Sequence, residues 1–396
     1  MNNGSFELCL RPLMTIELTK EDLYRPGMEG IPACYSSVGF IDGKAGILQY
    51  RGYEIEDLCQ NSTFEEVSYL LIYGELPTSS QLADFTADLV QARPISDELA
   101  HLVKQLPKHG HPMTALQTLT SALGLYMGVK DLKDQKECYQ AMINVIAKVP
   151  TLITYFDRHR KDLEPIAPDP HLAHAENFLY MLSGEKPSEI AARIMDVCFI
   201  SHAEHTLNAS TFSARVTTST QNDPFTAVSA AVGTLYGPLH GGANEKVLHM
   251  LEKIGKKENV ASFVEQKSQA KEKIMGIGHR VYKTKDPRAL ILQKLAEKLF
   301  DEVASNELLD TAHELEKVAL EKFAAKGIYP NVDFYSGIVY NALNISTDIF
   351  TPIFAAARTS GWMAHWKEQT DNNRLYRPTQ IYNGSPKRGY KTIDQR

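Results

Sequence analysis

The sequence predicts a mainly α-helical fold with one small β-hairpin near the N-terminus. Three observations carry this. Apolar residues recur at three- and four-residue spacing through most of the chain, the period of one helix face. Proline and glycine punctuate those stretches. Only at 36–53, SSVGFIDGKAGILQYRGY, do two short strand-like runs flank a turn signal, Asp42-Gly43. There is no fixed-period repeat and no low-complexity segment, so a solenoid is not expected.

The elements follow in order. Residues 1–13, ahead of Met14, read as a poorly ordered extension. After the hairpin, Thr63 and Glu66 have capping-box spacing, and Gly74 is a C-terminal stop. The stretches 114–128, 136–147, 188–204, 224–236 and 243–254 then read as helices. Asp223-Pro224 supplies an N-cap and a first-turn proline for the fourth. Its apolar face is Val228, Ala231, Val232 and Leu235, and Gly237-Pro238 ends it. Gly241-Gly242 opens the fifth, with Val247, Leu248, Leu251 and Ile254 on its core side. Residues 256–273, dense in Lys, Glu and Gln, read as a solvated helix face. Asp286-Pro287 starts a further helix. Thr351-Pro352 starts a last one, whose small residues imply close packing.

A chain of 396 residues can bury a large core and suggests two or three domains. Lys plus Arg is 42 and Asp plus Glu is 48, a net charge of -6, which argues against general nucleic-acid binding. No apolar run reaches the roughly 18–20 residues of a membrane span. The N-terminus carries no signal-peptide pattern. Cys9, Cys34, Cys59, Cys138 and Cys198 form no C-x-x-C pair, which suits a reducing cytoplasm.

Several polar residues sit oddly. His240, in YGPLHGGANE, occupies a helix-to-helix corner beside two glycines that permit close approach. It either bonds a neighbouring carbonyl or is held for catalysis. His279 follows Gly276 and Gly278 in MGIGHRVYKTKDPRA. Arg288 falls in a first helical turn, where the helix dipole disfavours a cation. It either pairs with an acid or grips an anion together with the helix start. Arg358 lies among small residues and either reaches solvent or awaits a carboxylate. Asp333, in PNVDFYSG, is either an N-cap or a base presented at a helix start. His202 and His205 stand at i,i+3 on one expected helix face, a spacing that can bind zinc, but no further ligands follow.

Taken together and in order, the blocks HAEHTLNAS, GPLHGGAN, GIGHRVYKTKDPRA, PNVDFYSG and AAARTSGWMAHW with YRPTQIY resemble the citrate synthase family. FIDGKAGILQYRGYEIEDL at the N-terminus is similar as well. The resemblance spans residues 28–390. It implies a two-domain helical fold: a large domain from 1–240 and 341–396, and a small domain at 241–340. It also implies a homodimer. The implied reaction joins acetyl-CoA to oxaloacetate and hydrolyses the product thioester to citrate and CoA. In that reading Asp333 is the base, His240 donates to the thioester oxygen, and a nearby helix start keeps its imidazole neutral. His279 acts on the ketone oxygen. His205, Arg288 and Arg358 hold oxaloacetate, with Arg377 supplied by the neighbouring subunit. Gly276, Ile277, Gly278, Arg280, Lys283 and Lys285 lie toward CoA. Oxaloacetate is implied to bind first and close the small domain. No metal and no tightly bound cofactor is implied. Leu239 and Arg280 differ from the GPKHGGAN and GHPVY of 2-methylcitrate synthases, the nearest alternative. A metal-dependent hydrolase on His202, Glu204, His205 and His240, and a helical scaffold without chemistry, are the remaining readings.

Overall fold

The structure is a computed structural model that describes residues 19–301 and 307–396. The expected extension at 1–13, with Cys9, lies outside the described residues. The described chain forms two compact units, one of residues 19–35 with 376–396 and one of residues 36–375. In the first are a short helix, Lys20–Leu23, and a C-terminal stretch ending in the single turn Ile393–Gln395.

The larger unit is mainly α, as predicted. Its centre is helix Phe350–Asp371, in which every residue from Phe350 to Trp366 is buried. Helices Phe64–Tyr73, Gln135–Arg160, Glu189–His202, Ala209–Ser219 and Pro224–Leu235 pack against it. A helix buried all round has no polar face to spare, and small side chains let its neighbours come close. Gly361 shows how close. A Cβ there would lie 2.3 Å from the carbonyl oxygen of Ala203 and 2.7 Å from Glu204 Oε2.

The hairpin is present but differs in detail. Strands β1 (Gly39–Asp42), β2 (Ile47–Tyr50) and β3 (Tyr53–Glu54) form an antiparallel meander, so a short third strand is added. Asp42 pairs with Ile47, which leaves a four-residue loop rather than a two-residue Asp-Gly turn. Asp42 Oδ1 accepts the N–H groups of Lys44 and Ala45, and Gly46 takes the left-handed conformation, φ 73°. Gly43 serves a close approach instead. Its carbonyl accepts the Lys283 N–H at 2.8 Å, and a Cβ would lie 2.3 Å from Val281 O. The hairpin loop thus rests on residues 281–284.

Other boundaries shift for identifiable reasons. The helix expected at 136–147 runs from Gln135 to Arg160, through Pro150. Val149, Leu152, Ile153 and Phe156 continue its buried face, and that packing outweighs the lost backbone bond. Thr63 Oγ1 accepts the Glu66 N–H, but Glu66 turns to the Ser62 hydroxyl, so the capping box is half formed. Within 256–273, helix Val260–Gln269 buries Val260 and Val264 and is amphipathic rather than wholly solvated. Helix Glu189–His202 ends before the predicted residue 204, and Thr206 has φ 49°.

Replacing Gly361 with alanine is expected to push helix Phe350–Asp371 off the 203–204 backbone, at about 1–3 kcal/mol. Thermal unfolding should show a lowered melting temperature. An unchanged one would contradict the tight contact.

Candidate active site

Two glycine-dependent segments lock together beneath the site. Gly276 and Gly278 adopt φ 74° and 100°. The Gly278 N–H donates to Tyr329 O at 2.7 Å, and the Asn331 N–H donates to Gly276 O at 2.9 Å. Asn331 Nδ2 donates to Gly278 O at 2.9 Å, and Ile277 bridges Pro330. A Cβ on Gly276 would meet Val247 at 2.8 Å and the Phe334 ring at 3.0 Å, so only glycine fits. This clamp joins the His279 loop to the start of helix Val332–Ala342, which carries Asp333.

Asn331 is the N-cap of that helix. Its Oδ1 accepts the Asp333 N–H at 3.0 Å. The N-cap reading of Asp333 therefore fails, because Asp333 is the second helical residue. Its Oδ1 is buried and finds no hydrogen-bond partner among the described residues. Burial pushes its carboxyl up to about 7, against the pull of the Arg288 and Arg358 charges.

His279 Nδ1 accepts two backbone N–H groups, from Val281 and Tyr282, each at 3.1 Å. The neutral ring then carries its proton on Nε2. Burial first, and the charge of Arg288 second, hold its pKa down at about 4.

His240 does sit at a corner, though Gly241 is needed for the chain's own path. A Cβ there would lie 2.7 Å from Leu235 O. The His240 Nε2 accepts the Ser210 N–H at 3.3 Å and lies 2.8 Å from Ser210 Oγ. Ser210 is the second residue of helix Ala209–Ser219, which Asn208 caps. The helix start beside His240 is thus one thirty residues earlier in the chain. An acceptor Nε2 places the proton on Nδ1. Burial, then the Arg358 charge, lowers the pKa to about 4, so the ring is neutral near pH 7.

His205 lies past the helix end, buried, with Nε2 3.3 Å from the Tyr282 hydroxyl and its ring edge-on to His279 at 5.4 Å. Burial, followed by the Arg288 charge, keeps its pKa well below the ordinary value. His202 turns away from it and places Nδ1 2.8 Å from Cys198 O, so the two do not share a helix face. Arg288 pairs with an acid: Nε and Nη2 donate to Asp286 at 3.0 and 2.7 Å, both residues buried. Asp286 also caps the Arg288 N–H at 3.0 Å. Arg358 is 1% exposed, donates Nε to His202 O at 2.6 Å, and lies over the Phe354 ring at 4.8 Å. Phe354 also stands edge-on to His240 at 6.3 Å.

Of the other candidates, Arg280 and Lys283 are exposed. The Lys285 ammonium is held by Glu316 and Gln293 and lies over the Tyr335 ring. Arg377 belongs to the smaller unit, exposed, with Nη1 donating to Pro378 O at 3.0 Å. Leu239 is 96% exposed. Sequence reasoning did not single out Ser210, Tyr282 or Phe354. The N-cap pattern Asn208-Ala209-Ser210 was the available signal for the first.

The desolvated carboxyl of the half-buried Asp333 has a consequence for stability. A carboxyl whose folded pKa lies above its unfolded value favours the fold when protonated, so its ionisation costs stability as pH rises from about 4 to about 7. Asp333→Asn removes that cost. Its melting temperature should exceed wild type by a margin that grows over this pH range and then levels off. A constant margin would contradict the assignment.

The chain matches the family model described as "Citrate synthase, C-terminal domain" over residues 27–379. It is 51% identical to the citrate synthase of Synechocystis sp. over 97% of this chain and 96% of that one. The crystal structure of citrate synthase from Pyrobaculum aerophilum superposes with TM-score 0.87 at 37% identity, covering 94% and 95% of the two chains. A ternary complex of citrate synthase from the thermophilic archaeon Thermoplasma acidophilum with carboxymethyl coenzyme A and oxaloacetate gives TM-score 0.89 at 32% identity, covering 94% and 99%. On the family match and these near-full-length identities, the chain belongs to the citrate synthase family.

Proposed function

We propose that this chain condenses oxaloacetate with acetyl-CoA and water to give citrate and CoA. The observation that carries the reading is the Asp333 carboxylate, with one oxygen buried and unpartnered and its pKa lifted to about 7. A desolvated carboxylate is a stronger base than one in water, and it stands in the field of two arginines that a dicarboxylate would need.

Asp333 removes a proton from the acetyl methyl group. The negative charge that develops on the thioester oxygen meets the Nδ1–H of His240, a donor held neutral by burial and the Arg358 charge and oriented by the Ser210 N–H. The enol carbon attacks the ketone carbon of oxaloacetate. His279, which carries its proton on Nε2, donates it to the ketone oxygen. Water then cleaves the citryl thioester.

Arg288 and Arg358 bind the two carboxylates of oxaloacetate, and His205, with its neighbour Tyr282, flanks the ketone. Arg377 comes from the second subunit of a homodimer. Residues 241–340 act as the small domain that closes once oxaloacetate is bound, which protects acetyl-CoA from idle hydrolysis. The backbone of Gly276, Ile277 and Gly278 faces CoA. Arg280 and Lys283 take its phosphates, while Lys285, engaged with Glu316, steadies the loop. We place the reaction in the cytoplasm, on the free thiols of Cys34, Cys59, Cys138 and Cys198.

A thiol-release assay tests this. With oxaloacetate, acetyl-CoA should be preferred over propionyl-CoA by about 10–200-fold in kcat/KM, the range one methylene allows. Asp333→Ala should lose about 10²–10⁴-fold in kcat. Activity that survives this substitution would sink the mechanism, and a preference for propionyl-CoA would reassign the substrate.

A further inference from the structure

Glu204 is fully buried, and the reaction above gives it no task. It lies on the unwound stretch between His202 and His205. Its Oε1 is 3.2 Å from His365 Nε2. On the far side of that ring, His365 Nδ1 faces Arg215 Nη1 at 3.0 Å. A guanidinium can only donate, so Nδ1 is the acceptor and the His365 proton sits on Nε2, donated to Glu204. A neutral imidazole leaves the charge of Glu204 uncancelled. Arg215 is matched in turn by Glu368 at 2.6 Å, whose Oε1 accepts the Ser37 N–H at 2.8 Å.

Two cations feel Glu204: Arg51, half-buried and donating to Leu71 O, and the fully buried Arg358. Arg358, Gly361 and His365 stand at i, i+3 and i+7, on one face of helix Phe350–Asp371. Glu204 Oε2, buried and without a hydrogen-bond partner among the described residues, lies against Gly361 in the middle of that face. Of the charges around Arg358, Glu204 acts on it most strongly. Yet the Arg358 contacts are the His202 carbonyl and the Phe354 ring, and among the described residues it makes no direct ion pair. The counter-charge of Glu204 acts on the buried cation without occupying its fork, and burial still outweighs it.

We propose that Glu204 is a positioning residue for oxaloacetate binding: a fixed counter-charge, itself held by His365, which Arg215 bonds in turn, that keeps the Arg358 guanidinium turned toward the proposed oxaloacetate site. This rests on the assignment of Arg358 as a carboxylate clamp. An uncompensated buried guanidinium is costly and recruits another anion. Asp333, whose carboxyl already feels the Arg358 charge, is the anion left to recruit. Loss of Glu204 would therefore disable the clamp.

The test compares Glu204→Gln, Arg358→Met and the double variant in substrate-free melting temperature and in steady-state kinetics. Glutamine keeps an acceptor for His365 and almost the same volume, and exchanges the charged carboxylate for a neutral amide. Glu204→Gln is expected to lower the melting temperature in the wild-type background and not in the Arg358→Met background. It should raise the oxaloacetate KM about tenfold, within the coupling range of neighbouring charged residues, and leave the acetyl-CoA KM within about twofold. An equal fall in melting temperature in both backgrounds, or an oxaloacetate KM that is unchanged or lower, would overturn the proposal. If Glu204→Gln does not fold, the double variant, which lacks both charges, should fold; failure of both would make Glu204 a packing residue and end the proposal. An Arg358→Met enzyme with a wild-type oxaloacetate KM would instead end the clamp assignment, while the coupling in melting temperature could still stand.

Discussion

One side chain, Asn331, ties the two halves of the chemistry together. Its Oδ1 caps the helix that carries Asp333, its Nδ2 holds the carbonyl of Gly278 beside His279, and its N–H holds the carbonyl of Gly276. Asp333 and His279, the proposed base and proton donor, thus share one junction. Its geometry needs two left-handed glycines, one of them pressed against Val247 and Phe334. Catalytic groups work only within a narrow range of position, and here the Asn331 side chain and backbone hydrogen bonds together set the positions of Asp333 and His279.

Desolvation does the rest. Burial raises the carboxyl of Asp333 and lowers the imidazoles of His205, His240 and His279, which suits the base and the uncharged donors proposed for them. The donors point from different ring nitrogens because different backbone groups occupy the others: the Ser210 N–H at Nε2 of His240, and the Val281 and Tyr282 N–H groups at Nδ1 of His279. The cations are offset in two ways. Arg288 is paired directly with Asp286. Arg358 has its counter-charge at a remove, in Glu204. An arginine whose fork no acid among the described residues occupies suits the substrate carboxylate proposed for it.

Much of this was legible in the sequence, for local reasons. Pro, Gly and Asp at helix starts and stops are read within four residues, so the Asp223-Pro224 start and the Gly74 stop hold. The odd settings of His240, His279, Asp333 and Arg358 were also visible, because each breaks a local pattern. What the sequence could not reveal were the partners. Ser210 lies thirty residues from His240, and Asn331 some fifty from His279. Only the folded chain brings them together. Local rules also misread places where packing overrides them. Pro150 sits inside a helix whose buried face continues past it, and the Asp42 side chain builds a longer loop so that Gly43 can meet residue 281. In the sequence Arg288 admits two readings, and Asp286, two residues away, is the acid of one of them.

The proposed chemistry needs two uncharged imidazoles that donate from opposite nitrogens. Long-range proton–nitrogen NMR of the substrate-free protein at pH 7 reads this directly. It should find His240 neutral with its proton on Nδ1 and His279 neutral with its proton on Nε2. An imidazolium at either position, or the same tautomer at both, would contradict it.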